Sequence, residues 1–340
     1  MWWVAGLAGV AQAESWCAAP LVAHEWGVTR VAPRSPGVPL PTWFARSSTA
    51  AAPGPRVRDL PKDTGERDLP VIALYTTRSW AFPVPFALRV TFRDGAPTAW
   101  WPPASGLAAD GVSWDALGLT PEPAGPLRSA PSDPGWVAAL RGVPDALWVE
   151  QGSERDRFVF YEGATRESSA LVVRRGDTWA PGRPHYVLEN VSDHPVHDVV
   201  IVAGDRAWAA PAIPAGRTAG FLLDDPLDAD ALRASLRGRW SGGAPPQGSG
   251  WGEGCVMMRD PAVPVDRAVD HVLYPAEVDV LLDAWGEALL GPATGGARLV
   301  YREDVAAVDA AVPVALYTDQ YHWVDWHRLS VVLVEGVTLP

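Results

Sequence analysis

Lysine is almost missing from this 340-residue sequence: all but Lys62 of its 28 basic side chains are arginine, and Asn190 is its one asparagine. The skew reads as a compositional bias of the encoding genome, so abundant arginine carries no phosphate-binding message. Positive charge as a whole is scarce, with 28 basic against 40 acidic side chains and a formal charge of −12. That balance argues against nucleic acid as a partner, because neutralising phosphates requires a basic surface. Cysteine occurs twice, at Cys17 and Cys255, and no C-x-x-C is present, which excludes a thioredoxin-like or zinc-ribbon role. No run of about 18 apolar residues exists to make a transmembrane helix in the mature chain. G-x-S-x-G, G-x-x-x-x-G-K, G-x-G-x-x-G and H-E-x-x-H are all absent, which removes nucleotide binding and the common hydrolase chemistries. No period of 20 to 50 residues emerges, which speaks against a propeller or solenoid.

What is present describes a folded chain rich in turns: 48% hydrophobic residues, 34 Pro, 32 Gly and 18 Trp. Strand signals dominate from Leu69 to about Ile213. Phe86, Leu88, Val90 and Phe92 alternate with Ala87, Arg89, Thr91 and Arg93, the period-2 pattern of a strand with one buried face. Asp94-Gly95 supplies a turn before Thr98 to Trp101, so a hairpin is expected. Two more are expected, from Arg157–Glu162 to Ala170–Arg174 and from His185–Glu189 to His197–Val202. Asp228 is placed to cap a helix bearing Leu232 and Leu236 and closed at Gly238. Val278, Leu281, Leu282, Trp285 and Leu289 fall on one helical face, with Pro275 in the first turn. Arg298–Tyr301, Val314–Thr318 and Leu329–Val334 read as later strands, and 50–70 and 102–135 as long irregular stretches. The expected fold is mainly β: an antiparallel, sandwich-like body over 14–240, a Gly/Pro-rich linker over 241–255, and a smaller α+β C-terminal part over 256–340 packed on the body.

Residues 1–13 (MWWVAGLAGVAQA) are uncharged, mostly apolar and end in Ala-Gln-Ala, the small-x-small pattern of a signal peptide cleaved before Glu14. The usual basic residue ahead of the apolar run is missing. The expected location is secreted or periplasmic, where Cys17 and Cys255 would pair in a disulfide worth about 5 kcal/mol on the chain-entropy model. Two buried free thiols are the alternative.

Four groupings bear on chemistry. His24-Glu25-Trp26-Gly27 sets a titratable pair beside a large aromatic: either an imidazole oriented by a carboxylate, or a strand end whose Trp26 packs in the core. His194 and His197 stand at H-x-x-H spacing where a turn enters a strand, and with His24-Glu25, or with His322 and His327, could hold Zn or Cu. Trp100, Trp101, Trp323 and Trp326 would stack on sugars or a protein partner if exposed, and serve as core if buried. The acidic cluster Asp224, Asp225, Asp228 and Asp230 lacks the pattern of a calcium loop and fits a helix N-terminus.

The run His24-Glu25-Trp26-Gly27-Val28-Thr29 after a signal-like start resembles the HEWG-type opening of a group of uncharacterised secreted bacterial proteins. Similar blocks are Pro70–Tyr75, Arg89–Pro103, Arg157–Gly163 and Leu273–Trp285, while Val28-Thr29-Arg30 stands where Thr-Phe-Thr often follows the glycine. The resemblance implies secretion and a shared architecture, and no catalytic residues. Two functional readings follow from the residues. The first is a secreted or periplasmic binding or structural protein without a cofactor, with a carbohydrate or protein as its partner. The second is a metal-dependent hydrolase or oxidoreductase using a cluster drawn from His24, Glu25, His194 and His197.

Overall fold

The computed structural model describes residues 21–31, 37–47, 65–76, 83–122, 125–166, 168–176, 185–244, 266–318 and 324–340. In the first half of the chain the strands are β1 (Leu21–Val31), β2 (Ala45–Arg46), β3 (Gly65–Thr76), β4 (Val84–Thr91), β5 (Ala96–Trp101), β6 (Gly106–Ala108), β7 (Gly111–Thr120), β8 (Trp148–Gln151), β9 (Glu154–Asp156) and β10 (Val159–Thr165). The second half adds β11 (Leu171–Arg175), β12 (Tyr186–Asn190), β13 (Val196–Gly204), β14 (Arg206–Ile213), β15 (Thr218–Phe221), β16 (Asp225–Pro226), β17 (Asp266–Asp270), β18 (Ala293–Glu303), β19 (Val314–Tyr317) and β20 (Val324–Val337). Four helices accompany them: α1 (Gly135–Arg141), α2 (Ala229–Trp240), α3 (Pro275–Leu290) and α4 (Val305–Ala311). The protein is mainly β, and most of its strand pairs are antiparallel.

One large sheet forms the spine, in the order β16-β14-β13-β18-β20-β1-β3-β10-β5-β2, with β17 beside the first residues of β20. A six-stranded sheet (β19-β4-β7-β8-β9, with β6 on β7) and a three-stranded sheet (β11-β12-β15) complete the strands. The alternation of side chains across a pleated strand decides the layering. On β1, Val22, Trp26 and Val28 join a core with Leu236 and Trp240 of α2 and Val278, Leu281 and Trp285 of α3. Leu21 and Ala23, on the other face, join a core with Phe86, Leu88 and Val90 of the six-stranded sheet. Further along the spine, Ile201, Leu299 and Val332 pack on Leu171, Leu188 and Phe221 of the three-stranded sheet. The molecule is therefore three layers deep, with helices, spine and two small sheets in turn.

Every residue of β1 is buried, because it lies between β20, which is parallel to it, and β3, which is antiparallel. Gly27 sits where the β1–β3 register slips between Trp26 and Val28, and a Cβ there would lie 3.0 Å from Pro70 Cα. A larger residue would push the two backbones apart.

The 86–92 alternation is a strand as expected, with Phe86, Leu88 and Val90 buried. The three expected hairpins are not hairpins. β4 lies in the six-stranded sheet and β5 in the spine; β10 lies in the spine and β11 in the three-stranded sheet; β12 and β13 are divided in the same way. In each case the turn carries the chain from one layer to another, because both flanking strands have a core to cover on different sheets. β6 and β7 occupy part of 102–135, and β3 begins at Gly65, inside the other stretch expected to be irregular. Asp228 caps α2 through Ala231 N (2.9 Å), but the helix continues past Gly238 to Trp240, whose indole is fully buried. The C-terminal strands are built into the spine, β18 and β20 lying between β13 and β1. Residues 245–255 of the expected linker lie outside the described residues, as do Cys17 and Cys255.

Candidate functional site

His24 and Glu25 are neighbours in sequence and strangers in space. His24 faces the helices, and its Nδ1 bonds to Glu277 of α3, 253 positions away. Glu25 faces the six-stranded sheet and meets Arg328 and Tyr161 instead. The carboxylate that orients the imidazole is thus Glu277, which the HEWG run alone could not reveal; the one local signal was its place three residues after Tyr274 at the start of a helix.

Around His24 the spine and α3 assemble a compact polar cluster. The His24 ring lies 4.3 Å from the ring of Tyr274, 4.9 Å from that of His327 and 5.1 Å from that of Tyr75. The register accounts for this: His327 on β20 is directly opposite His24, and Asp270 on β17 is opposite His327. His327 Nδ1 bonds to Asp270 Oδ1 (2.5 Å), so two imidazoles side by side are each held by their own carboxylate. The second oxygen-binding duty of Glu277 is a helix cap, its Oε2 accepting from Tyr274 N (3.1 Å). Burial and the Glu277 carboxylate raise the Tyr75 hydroxyl well above the ordinary tyrosine range, and push Tyr274 up to about 12. Burial acts to raise Asp270, but the Val272 N–H and His327 outweigh it and hold its carboxyl below the usual range. His24 and Glu277 are 1% and 0% exposed, so nothing from solvent reaches them in this state. The cluster ties α3 to the centre of the spine as a buried polar lock.

On the opposite face Glu25 receives a two-pronged grip from Arg328, Nε to Oε2 at 2.8 Å and Nη2 to Oε1 at 2.9 Å, and a bond from the Tyr161 hydroxyl at 2.5 Å. Arg328 also donates to Asp309 of α4 and to Val312 O (2.9 Å). Burial acts to raise the Glu25 carboxyl, yet Arg328 and Arg67 together with these hydrogen bonds leave it below its ordinary value. The Tyr161 hydroxyl is raised by its burial and by Glu25. This pair, with Ser330 donating to Glu303 Oε2 (2.5 Å), forms a polar seam between the two cores under the small sheets.

His194 and His197 take separate partners. His194 lines a cavity, and His197 Nε2 lies 3.4 Å from Asp304 Oδ2. Among the described residues no three His, Cys, Asp or Glu side chains are grouped to hold a metal ion, so the expected Zn or Cu cluster from His24, Glu25, His194 and His197 is not formed there. Opposite-facing neighbours on β1 are the physical reason, with His24 already committed to Glu277. His322 and Trp323 lie outside the described residues. Trp100 (7% exposed), Trp101 (1%) and Trp326 (2%) are core residues rather than a stacking platform; the first two point into opposite cores. Asn190 is fully buried and braces its turn, donating to His194 O and Ile213 O (2.9 Å each).

The cavity beside His194 measures about 370 Å³, and sequence reasoning missed it. Its walls come from three places: Ser168–Ala170 ahead of β11, the 191–196 turn between β12 and β13, and the end of β18 with α4. Tyr301 forms part of its floor, the hydroxyl accepting from Ala170 N (2.8 Å). Ala307, Ala310 and Ala311 line one side of it, while Glu303, Asp304 and Ser192 supply polar groups. No single sequence segment announces it, since its walls meet only when the three-stranded sheet folds over the spine.

No protein-family model matches the chain, and no curated protein matches its sequence. Among solved structures, the chain aligns with the yeast delta-COP-I mu-homology domain complexed with a Dsl1 WxWxV peptide, at 7% identity and a TM-score of 0.33 over 93% of this chain and 96% of that one. Among the described residues no helix is long and apolar enough to cross a membrane.

Proposed function

We propose that this is an exported β-rich binding protein that takes a small ligand in the cavity beside α4. The observation that carries the reading is the cavity itself. At about 370 Å³ it falls in the range of small-molecule sites, and it combines an apolar floor and flank with a few polar groups from His194, Ser192, Glu303 and Asp304. In the more elaborate polar cluster, His24 and Glu277 are closed to solvent and serve as a lock between α3 and the spine. Export is supported by the signal-like residues 1–13 and by the resemblance to secreted HEWG-type proteins.

A fragment set of cations, anions and neutral molecules, read by ligand-observed NMR, tests the binding reading against the wild type and Ala307→Trp, which fills the cavity from α4. Fragments that bind the wild type and fail to bind the variant support the proposal. Equal binding to both, or none to either, overturns it. Expression with the full N-terminus should yield periplasmic or secreted protein beginning near Glu14, and intact cytoplasmic protein retaining Met1 would sink the export reading.

A further inference from the structure

We infer that the ligand this cavity selects is a small organic cation, an alkylammonium or alkylguanidinium with a short apolar stem; the inference rests on the binding reading above. Among the described residues the two formally charged side chains on the wall, Glu303 and Asp304, are both acidic, and no lysine or arginine lines the cavity. Their environments differ in a useful way. Glu303 is held by one oxygen, Oε2 accepting from Ser330, while Oε1 makes no hydrogen bond among the described residues. A carboxylate fixed by a buried serine and left with one open oxygen is positioned to receive an N–H⁺ donor without first being ordered. Asp304 caps α4 through Oδ1 to Ala306 N (3.0 Å), with Oδ2 near His197.

The remaining wall suits a stem. Val196, Pro195 and Val191 oppose Ala307, Ala310 and Ala311, giving a slot with small side chains on the helix side. An anion entering it would meet Glu303 with no lysine or arginine among the described wall residues to compensate, and the net charge of −12 adds a weaker, longer-range bias of the same sign. A neutral alkyl alcohol would bury the same stem and leave Glu303 Oε1 with a weaker partner.

The test compares n-butylammonium, n-butylguanidinium, n-butanol and butyrate by NMR titration against the wild type, Glu303→Gln and Ala307→Trp, with a capped Gly-Lys-Gly peptide as a further probe. The expected result is binding of the two cations over butanol and no binding of butyrate. Glu303→Gln, which can still accept from Ser330, should weaken the cations about five- to tenfold while leaving butanol unchanged. Raising the salt from 50 to 500 mM should weaken the cations in the wild type and have little effect in Glu303→Gln. Preference for the lysyl peptide over butylammonium would overturn the small-molecule commitment in favour of a protein side chain. Butanol binding as tightly as the cations, or any binding of butyrate, in a cavity that Ala307→Trp still closes, would overturn the cation inference while sparing the binding reading. Loss of all binding differences between wild type and Ala307→Trp would remove both.

Discussion

Replacing Arg328 with methionine removes one half of an ion pair whose side chains are each 3% exposed. The remaining Glu25 carboxylate would keep its burial and its Tyr161 bond but lose both guanidinium contacts. Breaking a buried pair from one side costs about 3–5 kcal/mol, since the desolvation cost of the surviving charge is no longer offset. At roughly 2.1 cal/mol/K per residue, a chain of this length loses about 1.5 °C of Tm per kcal/mol, so Arg328→Met should melt about 4–7 °C lower. The pH dependence separates this from a simple packing defect. In the wild type the folded Glu25 carboxyl is held below its unfolded value, so its contribution is present above the ordinary glutamate range and is lost as pH falls through the lower folded value. Without Arg328, burial dominates and the folded value rises, so the variant loses stability as pH climbs past the unfolded value of about 4.3. The gap between the two proteins should therefore widen between pH 4 and pH 7 in urea denaturation. In a double-mutant cycle, Glu25→Gln with Arg328→Met should be less destabilised than the sum of the single variants by about 2 kcal/mol. A gap below about 1 kcal/mol at pH 7, or one that does not change with pH, would refute the reasoning.

Three further outcomes are expected. Glu277→Ala strips the Tyr274 cap and orphans the His24 ring, and should cost about 2–4 kcal/mol by chemical denaturation, whereas Glu277→Gln, which preserves the cap acceptor, should cost measurably less. Tyr75 and Tyr161, raised above the ordinary tyrosine range, contribute stability that is present below the unfolded value near 10 and is lost as pH rises through it. A 295 nm titration should therefore show fewer than seven tyrosines ionising in the folded protein, with the rest appearing together as it unfolds in base; seven independent ionisations without unfolding would contradict this. Cys17 and Cys255, both outside the described residues, are proposed to form a disulfide, as two cysteines in an exported chain would. Non-reducing mass spectrometry of protein from an oxidising compartment should find both thiols blocked, and two free thiols would dismiss the bridge.

How far the sequence could be read depended on whether the determining interaction was local. The 86–92 alternation, the 278–289 apolar face and the Asp228 cap each follow from residues within a few positions of one another, and each appears in the fold. The Asp94 turn also forms, yet a turn specifies where the chain reverses and says nothing about which layer receives the next strand; that choice belongs to the competing cores. His24 stood out because of its unusual neighbours, but its partners Glu277, Tyr75 and His327 are brought to it by strand register and by α3. Tyr75, Tyr161, Tyr274 and Glu277 come from segments scattered along the chain, which meet on the two faces of β1. Trp100 and Trp101 could be read either way from sequence, since alternation puts one of them into each core where both faces of the strand are covered.

The parallel register of β1 with β20 has a consequence for the order in which this molecule can come into being. Leu21 to Val31 are matched residue for residue with Val324 to Val334, so this central strand of the spine must wait for residues some three hundred positions later. A polypeptide emerging from a ribosome or a translocation pore N-terminus first would hold the segment Leu21–Val31 without this partner until some three hundred further residues have followed it. Loop closure over some three hundred residues makes such pairing slow, and the waiting strand is an aggregation hazard in the interval. A chain cut short before Val324 has no neighbour for β1 on that side and no Arg328 for Glu25, which leaves the central strand unpaired along one edge and its buried carboxylate without the guanidinium.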